Sequence, residues 1–262
     1  MKKRVFSIAL AAVMAVGLFA GCGSKKADSD MAAIKDKGTL VVGITDFAPM
    51  DYQDESGNWV GFDADMAAAF AESLGVKVEF QEIDWDNKVI ELDGNTIDCV
   101  WNGMTLTSEV TSAMECSNAY CNNQQIVIVP TAAAASITDK DSLADLTFAV
   151  EAGSAGEGVA EELGLNYTSV GAQADALMEV EAGTSDAAII DSLMAAAMVG
   201  EGTSYADLTY TLGLSDEEYG VGFRKGSDLA EELNKFFAES YKDGSMMEIA
   251  EKYGVQAAII EQ

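Results

Sequence analysis

Asp191 closes the apolar run 187–190, and Trp85 stands between Asp84 and Asp86. A carboxylate at the carboxyl end of an inner strand faces the crevice where open α/β sheets bind ligands, and burying it is costly without a cationic partner. The indole can cover an apolar stem or hold a cation against its face, and it can equally belong to the core. Gly153-Ser154-Ala155-Gly156 opens a helix whose free N–H groups favour an anion, although an ordinary capped start explains the same residues. Catalysis is poorly served. With no histidine in 262 residues, a His-based triad, a His-ligated metal and a His general base are excluded. The cysteines, Cys22, Cys99, Cys116 and Cys121, lack metal-ligand spacing, and no histidine is present to activate a thiol. No catalytic residue, metal or cofactor is expected.

The elements that must position these residues alternate between strand-like and helix-like along the chain, which reads as α/β. Strands are predicted over 40–44, 76–82 and 97–101, and helices over 65–74, which ends at Gly75, and 87–92, which ends near Gly94. The same phrase recurs downstream, with strands over 148–150, 166–170 and 187–190. Its helices span 156–163 and 172–182, stopped by Gly164 and Gly183. Asp98 opens the last strand of the first phrase, and Asp186 that of the second. The repetition predicts two lobes built on one plan, with a ligand cleft between their strand ends.

The N-terminus reads as a targeting segment. Lys2, Lys3 and Arg4 precede an apolar run over 5–20 that ends in small residues, as in a secretory signal. Leu18-Phe19-Ala20-Gly21-Cys22 resembles a bacterial lipobox, which implies that residues 1–21 are removed and Cys22 is diacylated. Residues 22–36 then read as a lipidated tether. The full chain has 15 basic and 44 acidic residues and a net charge of −29; losing the three cations of the signal leaves −32. That balance excludes a nucleic-acid partner. Of two arginines, only Arg224 remains in the mature chain.

Five phrases in order carry a family resemblance: Gly61-Phe62-Asp63-Ala64-Asp65, the run 98–107 (DCVWNGMTLT), Glu151-Ala152-Gly153-Ser154, the run 187–192 (AAIIDS) and the run 219–226 (YGVGFRKG). Over about 38–254 the chain resembles the family 3 solute-binding proteins, which deliver amino acids and related solutes to ABC importers. The resemblance implies a two-lobed periplasmic-binding-protein fold (type II) with a two-stranded hinge. It assigns 37–124 plus 222–262 to lobe 1 and 125–221 to lobe 2. A monomer docking on ABC permease subunits, tethered outside the cytoplasm by its lipid, is the implied assembly. An enzyme on this scaffold, related to cyclohexadienyl dehydratase, and a ligand-sensing module are the alternatives.

By the same resemblance Phe47 and Trp85 are the aromatic walls of the site, Asn102, Gly103 and Thr105 contact the ligand, and Asp191 receives its α-ammonium. Asn102 and Thr105 can also serve only as caps. Ser154 and Ala155 lie at the helix start that offers an anion site. Two positions depart from the pattern. Ile44 replaces an aspartate, for which Asp46 or Asp51 could substitute, and Val110 replaces the arginine that forks onto the ligand's α-carboxylate. The implied ligand is an amino acid or another amine-bearing solute, bound with less reliance on its carboxylate. Cys99 reads as a core residue, and pairing of Cys116 with Cys121 is left open.

Overall fold

The computed structural model describes residues 29–262. The signal segment, Cys22 and the first part of the tether lie outside them. Helix α1 (Asp30–Lys37) leads into β1 (Thr39–Ile44). The tether assignment fails over 30–36: these residues are helical, Ile34 is fully buried, and Arg224 pairs with Asp30 at 3.2 Å. After the short hairpin of β2 (Tyr52–Gln53) and β3 (Trp59–Val60) come α2 (Phe62–Leu74), β4 (Lys77–Glu82), α3 (Lys88–Asp93) and β5 (Cys99–Thr105). Then follow α4 (Ser108–Ala113), β6 (Glu115–Cys116) and the long β7 (Cys121–Pro130).

The second half runs β8 (Thr147–Glu151), α5 (Ala155–Leu163), β9 (Asn166–Val170), α6 (Gln173–Ala182), β10 (Ala187–Asp191) and α7 (Ser192–Met198). The long strand β11 (Leu208–Phe223) leads to α8 (Leu229–Asp243) and α9 (Ser245–Tyr253). The expected elements are present, most with ends moved by one to three residues. Helix α2 starts earlier than the predicted 65, because Phe62, Met66 and Phe70 all join the core and Ala64 is buried with them. Left-handed glycines close α2, α5 and α6; after α3 the left-handed residue is Asn95 and not Gly94.

Strand order shows the repeat directly. One half reads β4-β1-β5-β11, the other β9-β8-β10-β7, and β11 pairs with β7 to join them. In each half the first three strands are parallel and the long strand runs antiparallel to them. Both faces of each half are covered, which is why the inner strands are apolar without a gap. In β10, Ala187 and Ile189 join the core with Phe148 and Ala160, whereas Ala188 and Ile190 join the opposite one with Leu177 and Met194. Helix α8 returns to the first half, where Phe237 packs on Trp101 and Tyr120 at ring separations of 5.6 and 5.5 Å.

The long strands cross between halves where each is the other's only strand partner, with single backbone bonds added by Leu106 N–H to Glu218 O at 2.9 Å and Asn122 N–H to Ala258 O at 2.8 Å. Asn122–Gln124 of β7 pair with Asp216–Glu218 of β11 in register. Beyond them, Gln125 to Ile128 ladder with β10, while Tyr219 and Gly220 ladder with β5. The chain has therefore re-entered the first lobe's ladder by Tyr219, ahead of the expected return at 222. Two strands with no third strand laddered beside them form a thin connection.

Candidate binding cleft

A cleft of about 1170 Å³ opens between the halves. Its first wall carries Trp85, Lys88, Asn102, Gly103, Thr105 and Val110; its second carries Glu151, Gly153, Ser154, Gln173, Asp191 and Glu217. Asp191 and Glu151 are the last residues of the parallel neighbours β10 and β8. The carboxyl ends of two inner strands thus deliver two carboxylates to one crevice.

Asp191 is 4 % exposed and densely hydrogen-bonded. Its Oδ1 accepts from Tyr219 Oη at 2.6 Å, Gln125 Nε2 at 3.0 Å and Asn123 Nδ2; its Oδ2 accepts from Gln173 Nε2. The backbone N–H of Asp191 donates to Gln173 Oε1 at 2.9 Å, so Gln173 grips the residue twice. Burial and the Glu217 charge push the carboxyl up to about 7, against the hydrogen bonds from Tyr219, Gln173 and Asn123. Glu151 is 3 % exposed and its Oε1 has no partner. Burial, then the Asp191 charge, push it up to about 8, with Lys88 opposing. Glu217 Oε2 accepts from Thr105 Oγ1 at 2.9 Å, Gln125 Nε2 at 3.0 Å and Asn123 Nδ2 at 3.2 Å.

Opposite these acids stands Lys88, the one cation lining the cleft among the described residues, against ten carboxylates. It opens α3, is 8 % exposed, and lies 4.9 Å above the Trp85 ring. Its Nζ donates to Trp85 O at 3.2 Å and across the cleft to Gly153 O at 2.9 Å. Burial lowers its pKa, partly countered by Glu151. A cleft of this charge attracts cations and offers one fixed point for an anion.

The residues expected from sequence divide. Trp85, Asn102, Gly103, Thr105, Ser154, Ala155 and Asp191 all line the cleft, and Phe47 does not. Phe47 is 2 % exposed, seated edge-on to Tyr219 at 6.3 Å and against Gly103, where a Cβ would lie 2.3 Å from its ring. Trp85 is at once wall and core, packed with Ile83, Leu92 and Val110. The Asn102 side chain is committed to Thr45, accepting from its N–H at 2.8 Å and donating to its Oγ1 at 2.9 Å. Gly103, with φ of +55°, turns its N–H to Asp63 Oδ2 at 2.7 Å. These two contacts hold the turn from behind.

At the start of α5, Ser154 Oγ accepts from Glu157 N at 3.1 Å and Glu157 Oε2 accepts from Gly153 N at 2.7 Å. The helix therefore supplies its own anion, and an added carboxylate there would meet Glu157. Asp46 is exposed, while Asp51 is fully buried with both oxygens unpartnered. Arg224 lies away from the cleft, donating to Leu92 O and Ile97 O and pairing with Asp30 and Asp98. Cys99, Cys116 and Cys121 are free thiols. The described residues contain no metal-ligand cluster and no helix long and apolar enough to cross a membrane.

Lys88, Glu151, Glu217 and Gln173 are the site residues that sequence reasoning missed. A signal existed for two of them. Glu151 follows a predicted strand as Asp191 does, and Lys88 is a lone cation three residues after Trp85.

Known proteins place this architecture. The chain is 29 % identical over 251 residues to the L-cystine-binding protein TcyJ of Escherichia coli (strain K12), with 94 % of each covered. An ABC uptake transporter substrate-binding protein from Streptococcus pneumoniae, solved with bound histidine, superposes with a TM-score of 0.80 at 30 % identity, covering 88 % of this chain and 98 % of that one. An ancestral arginine-binding protein bound to arginine gives 0.76 at 35 %, covering 82 % and 98 %. The fold is the expected two-lobed α/β fold. The model of the bacterial extracellular solute-binding proteins, family 3, matches residues 40–256, and the chain belongs to that family.

Proposed function

We propose that the chain is the extracytoplasmic substrate-binding lipoprotein of an ABC importer, and that it captures an amino acid with a cationic group. The observation that carries this is the cleft itself: Asp191, held at a strand end by four side chains, among ten carboxylates and a single cation. A cationic ligand would neutralise buried acids that otherwise lack a counter-charge. The arginine and histidine bound by the two structural relatives agree in kind. Contacts from both walls would favour the closed form, with movement about the paired segments 122–124 and 216–218. Anchoring through diacylated Cys22, a monomeric state and docking on permease subunits complete the reading.

Native mass spectrometry of protein purified from its host tests the ligand, and tryptophan fluorescence against a panel of amino acids and amines ranks it. A retained cationic amino acid is the expected result; a retained acidic solute would contradict it. The intact mass of the mature protein tests lipidation at Cys22. Turnover of prephenate or arogenate would favour the dehydratase reading instead.

A further inference from the structure

Two charged groups in the cleft stand on opposite lobes, and among the described residues neither is in a direct ion pair, although each acts on the other at longer range. Lys88, on the first lobe, is in no ion pair, although it is 8 % exposed. Its ammonium has two carbonyl partners, Trp85 O and Gly153 O, and the indole face 4.9 Å away. A desolvated ammonium whose direct contacts are all neutral is incompletely matched, and an entering carboxylate would complete it. Lys88 also shares its wall with Val110, which packs against Trp85. The anion contact absent at position 110 is thus available from α3, one short helix away.

Glu151 is the opposite pole. Its Oε1 is buried and unpartnered at the end of β8, whereas Asp191 beside it has a side-chain donor on each oxygen. A ligand ammonium at Asp191 therefore leaves Glu151 with only the longer-range charge of Lys88, and a second cation on the ligand would give it a direct partner.

We propose that Lys88 and Glu151 are the specificity-determining pair of the cleft. Lys88 receives the carboxylate of an amino acid, and Glu151 receives a second, distal cation, which makes the ligand a basic α-amino acid rather than an amine lacking a carboxylate. The proposal rests on the binding role given above and names the ligand which that role takes. It also reverses the expectation that the carboxylate contributes little.

Isothermal titration with three pairs of probes tests it: L-arginine and L-lysine, their decarboxylated counterparts agmatine and cadaverine, and the neutral counterparts L-citrulline and L-norleucine. In the wild-type chain at least one basic amino acid should bind more tightly than its amine and its neutral counterpart, each by about 30-fold or more. Lys88→Met should shrink the preference over the amine by about 30-fold, and Lys88→Arg should restore it. Glu151→Gln should shrink the preference over the neutral counterpart by about tenfold. Circular dichroism establishes that each variant is folded, and Lys88→Gln, with the same expected loss of preference, carries the test if Lys88→Met is not.

Amines binding as tightly as their amino acids, or variants lowering all probes alike, would overturn the pair and leave the binding role standing. So would tight binding of a neutral amino acid alone. If the wild-type chain binds no amino acid or amine, the binding role itself falls.

Discussion

Asp98 and Asp186 hold the same post in the two lobes. Each precedes the inner strand of its half and accepts from the neighbouring parallel strand of its own lobe, Asp98 from Val41 N at 2.7 Å and Asp186 from Thr147 N at 2.9 Å. Each also donates its own N–H to the carbonyl of that same residue, at 2.7 and 2.9 Å. Their surroundings differ. Asp98 is 5 % exposed and pairs with Lys37 at 2.5 Å and Arg224 at 3.6 Å, while Asp186 is exposed.

The two latches should therefore differ in worth. Asp98→Ala removes a buried hydrogen-bond acceptor and the counter-charge of Arg224, and should cost about 2–3 kcal/mol. Asp186→Ala removes one solvent-accessible bond and should cost about 1 kcal/mol. Urea denaturation measures both, and an inverted order would show that burial and charge do not set the worth of the latch.

Gly153→Ala should weaken ligand binding by about tenfold while leaving the fold intact. A Cβ at 153 would lie 2.8 Å from Asp86 Cα on the facing lobe, and backbone cannot give way as a side-chain tip can. The strain of φ +69° is common to the open and closed forms, so it lowers stability without biasing closure. The cross-lobe clash is relieved when the lobes separate, so it opposes closure. Small-angle scattering with ligand should show a larger radius of gyration for the variant; an unchanged radius and affinity would count against it.

Stability should fall as pH rises through neutrality. Asp51 and Asp63 are fully buried; burial and the Asp63 charge push Asp51 well up, and burial pushes Asp63 to about 7. Asp191 and Glu151 stand at about 7 and about 8. The folded chain thus keeps protons that the unfolded chain releases near pH 4, so stability is lost as pH climbs from about 4 to about 8. Self-repulsion of the acidic surface has the same sign, and Asp51→Asn separates the two. Urea midpoints at about pH 5.5 and 8 should converge in Asp51→Asn; an unchanged difference would place the effect elsewhere.

Binding of a cationic ligand should move the opposite way. Asp191 and Glu151 must be ionised to receive a cation, so affinity should rise from about pH 6 to 8 and protons should be released on binding. Asp191→Asn should lower affinity by about 30-fold or more. Titration calorimetry in buffers of different ionisation enthalpy counts the protons. Uptake instead of release would refute the assignment.

Much of this was legible in the chain. Gly75 to Gly94 and Gly164 to Gly183 are equally spaced because the same two helices connect the same strands in both lobes, and glycine or asparagine ends each helix. Asp191 could be placed because a residue ending an inner strand has one direction to point. Phe47 could not: whether its loop turns the ring toward the cleft or behind Gly103 is decided by packing on Tyr219, over 170 residues away in sequence. Lys88 was hidden for a different reason. The family pattern points to an arginine at position 110, whereas the ammonium available to the site lies on another helix and gains its place by burial against Trp85.

Arg224 has the last consequence. By fastening Asp30 and Asp98 on the back of the first lobe, it ties the N-terminal helix to that lobe and not to the other. Whatever holds the N-terminus therefore holds the first lobe as the frame. The second lobe becomes the swinging arm, and it carries Asp191 and Glu151 with it. The ligand's cationic end travels with the arm, while its carboxylate waits at Lys88 on the frame.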